Sequence, residues 1–247
     1  MLRKKSGSIE WLEFEQLTEI PSVIHGVFLK HGGESKGPFA SLNFGGGTGD
    51  DPEKIRQNRM KVLSLFRCQE FISGKQCHGV IIRTTPIGSD DECDGLLTTK
   101  DSQALTIKHA DCQAAIFYDP VHQAVGNVHC GWRGNVGNIY SHAIDYFKKE
   151  IGSKPEDLLV SISPSLGPCC SEFINYKAEL PESFLDFQVK PTYFNLWELS
   201  RFQLIQKGVL PHHIEMAGIC TCCNREDFFS YRRDKTTGRN ATVVALR

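Results

Sequence analysis

From Leu105 onward the sequence breaks into short runs rich in β-formers, at 105–108, 114–118 and 124–129, with Asp119-Pro120 as the tight turn between the second and third. Apolar positions Val136, Ile139, Tyr140, Ala143, Ile144, Phe147 and Ile151 then recur at helical spacing, and Gly152 is placed to end that helix. Further strands are read at 158–163, 214–219 and 241–246, and a helix at about 197–206. Strands and helices mixed without regular βαβ alternation predict an α+β fold, with mainly antiparallel central sheets and helices packed outside. The first third is rich in glycine, ending in Gly45-Gly46-Gly47-Thr48-Gly49. No dinucleotide or P-loop fingerprint is among these glycines, so they read as loops, and a helix should follow with Asp51 as its N-cap and Pro52 in first position.

No linker or charge block divides the 247 residues, and 1–247 reads as one domain. The 28 basic and 29 acidic residues are interspersed, with no basic stripe to follow a phosphate backbone, so nucleic acid is not an expected partner. The basic start Met1-Leu2-Arg3-Lys4-Lys5 lacks the apolar stretch of a signal peptide, and no run is long enough to span a bilayer. Ten cysteines in such a chain therefore read as mostly reduced, in a cytoplasmic setting.

Chemistry concentrates in three short segments: Gln76-Cys77-His78-Gly79, His109-Ala110-Asp111-Cys112 and Val128-His129-Cys130-Gly131-Trp132-Arg133-Gly134. His78, Cys112 and His129 are candidate metal ligands, each at the border of an apolar run and a turn. Three protein ligands leave one corner of a tetrahedral ion open, the arrangement of catalytic rather than structural zinc. The same residues also suit a metal-free hydrolase, with Cys112 as nucleophile and His129 as base. Asp111 reads either as a turn or cap residue or as the carboxylate orienting a ligating histidine. Arg133, in a Gly-flanked turn, reads either as a structural ion pair or as a receiver of phosphate. Cys169, Cys170, Cys220 and Cys223 superficially resemble a Cys₄ zinc site, but adjacent cysteines seldom provide two clean ligands, and these read as small buried apolar residues. Pro168-Cys169-Cys170 lacks the partner motif and spacing of nucleobase deaminases.

Gln76-x-His78-Gly79, Ala110-Asp111-Cys112, His129-x-Gly131-Trp132-Arg133-Gly134, Gly167-Pro168-Cys169-Cys170 and Phe228-Phe229-Ser230-Tyr231-Arg232-Arg233 occur in that order. In this the chain resembles the YfiH-type laccase-domain family, labelled polyphenol oxidase or multicopper oxidase and later purine nucleoside phosphorylase, over about residues 25–247. The resemblance implies a layered α/β fold akin to the cytotoxic-necrotizing-factor-like cysteine hydrolases, and zinc on His78, Cys112 and His129, copper being the other candidate. It implies phosphorolysis of adenosine, inosine and S-methyl-5′-thioadenosine to free base and ribose 1-phosphate, with adenosine deamination as a further activity. Catalysis would fall to His78, Cys112, His129 and Arg133, and substrate and phosphate binding to Lys30, Asn43, Tyr231, Arg232 and Arg233. The family usually has Ser-Thr-Arg where this chain has Phe28-Leu29-Lys30, which exchanges a guanidinium for an ammonium. A multicopper oxidase needs histidines in H-x-H pairs, and the nine histidines here contain none.

Overall fold

The short β-rich runs fall into two six-stranded sheets. The computed structural model describes residues 1–66, 68 and 70–247. The first sheet contains β1 (Leu2–Ser6), β2 (Ile9–Glu13), β3 (Val23–Phe28), β4 (Glu70–Ile72), β7 (Gln103–His109) and β14 (Asn240–Leu246), in the order β1-β2-β3-β14-β7-β4. The second contains β5 (Ile82–Thr84), β6 (Gly95–Thr98), β8 (Gln113–Asp119), β9 (Ala124–Cys130), β10 (Leu159–Ile162) and β13 (Ile214–Met216), in the order β13-β10-β8-β9-β6-β5. Pairing is antiparallel except for β4 with β7, β5 with β6 and β10 with β13. The strands β11 (Gln188–Lys190) and β12 (Tyr193–Phe194) make a small separate ribbon. The α+β fold with mainly antiparallel sheets expected from the sequence is the one formed.

Alternation assigns each strand two faces, and here both are used. Leu12, Val27, Leu105 and Val244 of the first sheet meet Leu96, Ile116, Tyr118 and Val125 of the second in a core between the sheets. On the outer face of the second sheet, Ala115, Phe117 and Val128 pack against Tyr140 and Phe147 of α4 (Ile139–Ile151) and Leu204 of α6 (Leu196–Gln206). On the outer face of the first, Phe28 and Val243 pack against Val62 and Phe66 of α2 (Pro52–Phe66). Every residue of β8 and β9 is consequently buried, a pattern more usual in parallel sheets and produced here by cover on both sides. At Gly126 of β9 a Cβ would meet the Phe147 ring at 2.8 Å, so the glycine lets α4 lie close on the sheet.

The remaining helices are single turns or little more: α1 (Glu15–Thr18), α3 (Trp132–Val136), α5 (Tyr176–Glu179) and α7 (Tyr231–Asp234). Asp51 caps α2 as expected, accepting the Glu53 N–H at 2.9 Å on Oδ1. The helix read through 136–151 is divided between α3 and α4. Asn138, at φ 51°, breaks it and restarts it, its side chain accepting the Ser141 N–H. Gly152, at φ 84°, ends α4. Residues 1–13, to which periodicity assigns no element, form the hairpin β1–β2, in which Arg3 pairs with Glu10 and reaches Asp227. The connection that matters most for function is residues 110–112. They carry the chain from the end of β7 in one sheet to the start of β8 in the other, along the seam between them.

Candidate metal centre

Cys112 ends this crossover, and the β8–β9 ladder sets Ala114 opposite His129, bringing the thiol beside the imidazole. His78 approaches on the loop after β4. That loop is clamped by Gln76, whose side chain accepts the Lys108 N–H at 3.0 Å and donates to the Lys108 carbonyl at 2.8 Å, as a strand would. His78 itself adopts φ 59°. The potential ligand atoms of His78, Cys112 and His129 all lie within 4.8 Å of one another, and the two imidazole rings stand edge to face at 85°. Gly131 leaves room for them: a Cβ there would lie 3.0 Å from the Cys112 sulfur and 3.3 Å from the His78 ring.

His129 is buried, and its Nδ1 is 2.8 Å from Oδ1 of Asp94, itself without solvent exposure. The carboxylate also accepts the N–H groups of His78 at 2.9 Å and Gly79 at 2.7 Å. Burial works against its charge, but the bonds from His129, Cys77 and Gly79 prevail and hold Asp94 well below the usual carboxylate range. Cys112 and His129 act on each other similarly. Burial opposes both charges, yet each favours the other's ionised form, drawing the thiol down and the imidazole up. Two imidazole nitrogens and an ionisable sulfur, one imidazole oriented by a carboxylate, are a donor set suited to zinc or copper. The cluster can hold a metal ion.

Two cavities meet at this cluster. One, of about 400 Å³, is bordered by Trp132, Arg133, Phe173, Arg232 and Lys235; the other, of about 560 Å³, by Gly45, Lys108, His109, His129 and Arg239. His78, Cys112 and Tyr231 line both. A larger cavity of about 780 Å³, bordered by Glu70, Lys100, Asp101 and Arg247, touches none of the three candidate ligands. Arg133 lies with its guanidinium carbon 4.1 Å from the centre of the Trp132 ring.

The chain matches, over residues 24–247, the sequence profile of the family described as "Multi-copper polyphenol oxidoreductase laccase". It belongs to that family. Among its relatives, a protein of Geobacillus stearothermophilus named "Purine nucleoside phosphorylase YlmD" is 34% identical over 91% of this chain and 90% of its own length. A "Purine nucleoside phosphorylase YlmD" of Bacillus subtilis is 29% identical over 96% of this chain and 93% of its own. The crystal structure of YlmD from G. stearothermophilus superposes with a TM-score of 0.88 at 30% identity, covering 99% of this chain and 98% of that one. The laccase-domain membership and these relatives bear out the resemblance drawn from the motifs.

Within this laccase-domain chain, the residues expected around the substrate are divided. His78, Cys112, Arg133, Tyr231 and Arg232 all border the first cavity, and His129 the second. Lys30, Asn43 and Arg233 border neither. Asn43 is fully buried, accepting the N–H groups of Gly45 and Arg239 and thereby shaping the glycine-rich loop. Arg233 donates to the carbonyls of Thr221, Cys222 and Phe228, a brace for its own loop. Lys30 is drawn down by burial and by the neighbouring Arg233. Asp111 takes the cap reading: its carboxylate accepts the Thr221 hydroxyl at 2.7 Å and the Arg232 N–H at 2.6 Å in the first turn of α7. The orienting carboxylate is Asp94, which the sequence reading missed. Its signal is a pairing, because β6 lies beside β9 and the His129 N–H donates to the Asp94 carbonyl at 2.6 Å. The four cysteines read as small buried residues also need correcting, since Cys169 and Cys223 are exposed and their sulfurs meet those of Cys170 and Cys220.

Proposed function

We propose that this chain is a zinc-dependent purine nucleoside phosphorylase acting on adenosine, inosine and S-methyl-5′-thioadenosine, with adenosine deamination as a second activity. The observation that carries this reading is an incomplete ligand triad at the junction of two cation-bordered cavities, one for each of two reactants. The names of the relatives point the same way. His78, Cys112 and His129 would hold the ion, which when bound supplies a Lewis acid and a water of pKa near about 7.

In this reading Arg133 and Arg232 hold phosphate in the first cavity, and Tyr231, common to both cavities, packs against the purine. A phosphate oxygen forms a bond to C1′ as the C1′–N bond breaks. The bonding electrons leave on the base, which takes up a proton. Holding both reactants in register contributes up to about 7–11 kcal/mol of barrier lowering in favourable cases. Asp94 fixes the Nδ1 proton of His129 and so keeps Nε2 directed to the centre.

The low-lying Cys112 thiol beside His129 favours one second reading, a metal-free Cys/His hydrolase. The copper polyphenol oxidase reading is weaker. Among the described residues only His78 and His129 contribute imidazoles to a metal-capable cluster, too few for a trinuclear copper centre. We place the activity in a reducing cytoplasm, the setting in which ten cysteines in a chain of this size stay mostly reduced. No helix among the described residues is long and apolar enough to cross a membrane.

The test is chromatographic detection of adenine and hypoxanthine released from adenosine and inosine, with and without phosphate, in metal-replete wild type and His129→Ala. Phosphate-dependent release and inosine formation, both lost by at least about a hundredfold in the variant, are expected. Turnover retained by His129→Ala would overturn the shared centre. Phosphate-independent cleavage that survives chelation and stops on alkylation of Cys112 would favour the hydrolase.

A further inference from the structure

Four sulfurs gather at a place this chemistry does not use. Cys169 and Cys170 lie on the loop after β10, and Cys220 and Cys223 form a C-x-x-C pair after β13. All four sulfurs lie within 4.8 Å of one another, with Cys223 Sγ 3.5 Å from that of Cys169 and 3.4 Å from that of Cys170. Sulfurs at about 2.3 Å from a tetrahedral zinc ion are roughly 3.8 Å apart, so this spacing is that of a tetrathiolate shell. A disulfide would bring one pair to about 2.05 Å.

Backbone contacts bring the two loops that carry these sulfurs together. Ser165 and Cys220 form a parallel bridge; the Ser165 N–H donates to the Ile219 carbonyl at 3.1 Å and the Thr221 N–H to the Ser165 carbonyl at 3.0 Å. The Gly167 N–H points at the Cys220 sulfur, 3.3 Å away, a contact that favours a thiolate. At Gly167 a side chain is excluded, since a Cβ would lie 3.0 Å from Cys220 Cβ and 2.9 Å from the Trp197 ring. Cys169 and Cys223 reach the surface, so an ion can enter the folded protein.

We infer that Cys169, Cys170, Cys220 and Cys223 bind a second zinc ion, structural in character and sharing no ligand with the open triad. On binding, four S–H bonds give way to four Zn–S bonds and four protons pass to solvent, with no electron transferred. The ion ties together two loops that form one wall of the first cavity. Ser165 and Leu166 line it, and Thr221, next to Cys220, holds the Asp111 carboxylate. All four corners are filled by protein, which leaves no position for substrate.

The experiment measures zinc per chain, and X-ray absorption at the zinc edge, on protein purified without chelator. Wild type should carry about two equivalents, and His129→Ala and the double variant Cys220→Ser/Cys223→Ser about one each. The ion left in His129→Ala should have a sulfur-only shell at about 2.3 Å. Because His129→Ala keeps all four cysteines, it decides the matter even where the double variant fails to fold. One zinc in wild type with none in His129→Ala would overturn the inference, as would nitrogen in the shell of the remaining ion. A disulfide among the four cysteines in metal-free protein, found by non-reducing peptide mapping, would make the cluster a redox pair instead.

Discussion

The imidazole of His129 has two nitrogens, and the Asp94 carboxylate decides which of them faces the cavities. Because Nδ1 is engaged by Asp94, Nε2 is the nitrogen left for Cys112 and His78. An asparagine at 94 fills the same space but loses the charge that holds the ring this way. Asp94→Asn should therefore weaken zinc binding at the triad by about 10- to 100-fold, as read by competition with a fluorescent chelator. Unchanged affinity would mean that the backbone N–H groups alone position the loop. His78, Cys112 and His129 were legible in the sequence because each is a metal-capable residue at the edge of a turn. Asp94 was not, because it is one of 29 acidic residues and acquires its role only through the pairing of β6 with β9. Arg233, expected at the substrate, borders neither cavity: its neighbour Arg232 reaches one, while its own guanidinium is engaged by three carbonyls and by the Asp234 carboxylate.

At the scale of elements, α7 presents Tyr231 and Arg232 to the cavities, and a four-residue helix has little stability of its own. Two caps hold it. The Ser230 side chain accepts the Arg233 N–H, and Asp111 accepts the Arg232 N–H from across the crossover. Asp111→Ala should raise KM for phosphate by about tenfold, corresponding to roughly 1.4 kcal/mol, with metal content unchanged. Steady-state kinetics alongside zinc analysis checks this, and an unaltered KM would show that Ser230 suffices. The boundaries of the larger helices were readable because caps are local: Asp51 and Gly152 stand where the sequence put them. The break at Asn138 was hidden, since Val136 and Ile139 continue the helical spacing across it and only the left-handed backbone reveals the restart. The β1–β2 hairpin was hidden too, because β1 is polar and held by pairing and by partners such as Asp227, distant in sequence, while β2 is a short run whose Ile9 and Leu12 find their cores only once the sheet forms.

For the molecule as a whole, the mixture of strands and helices without regular βαβ alternation was enough to predict mainly antiparallel sheets. It could not say that two sheets would form or that β7 and β8 would fall in different ones, since that depends on which strands pair. Burying so many strands on both faces also encloses titratable groups. His25 of β3 is 3% exposed, packs against Phe14 and accepts its N–H at 2.8 Å, and burial pushes its pKa down to about 4. The unfolded chain protonates this histidine near about pH 6.5, whereas the folded protein resists until about 4. Its contribution to stability is therefore full above pH 6.5 and falls as the pH drops toward 4, by about 1.4 kcal/mol per unit. Urea denaturation between pH 7 and 4.5 should show His25→Gln with a shallower loss than wild type; equal slopes would assign the acid sensitivity elsewhere.

The crossover at residues 110–112 has a consequence for how the protein ages under mutation. His129 belongs to one sheet, His78 is clamped to a strand of the other by Gln76, and Cys112 stands on the bridge between them. The three ligands thus act as a gauge of the alignment of the two sheets. A void opened in the core between them, at Ile116 or Val244, should shift the sheets against each other and weaken metal binding at the triad before the fold is lost. In such variants metal content should fall at a temperature where circular dichroism still shows the native fold, with no change to any of the three candidate ligands.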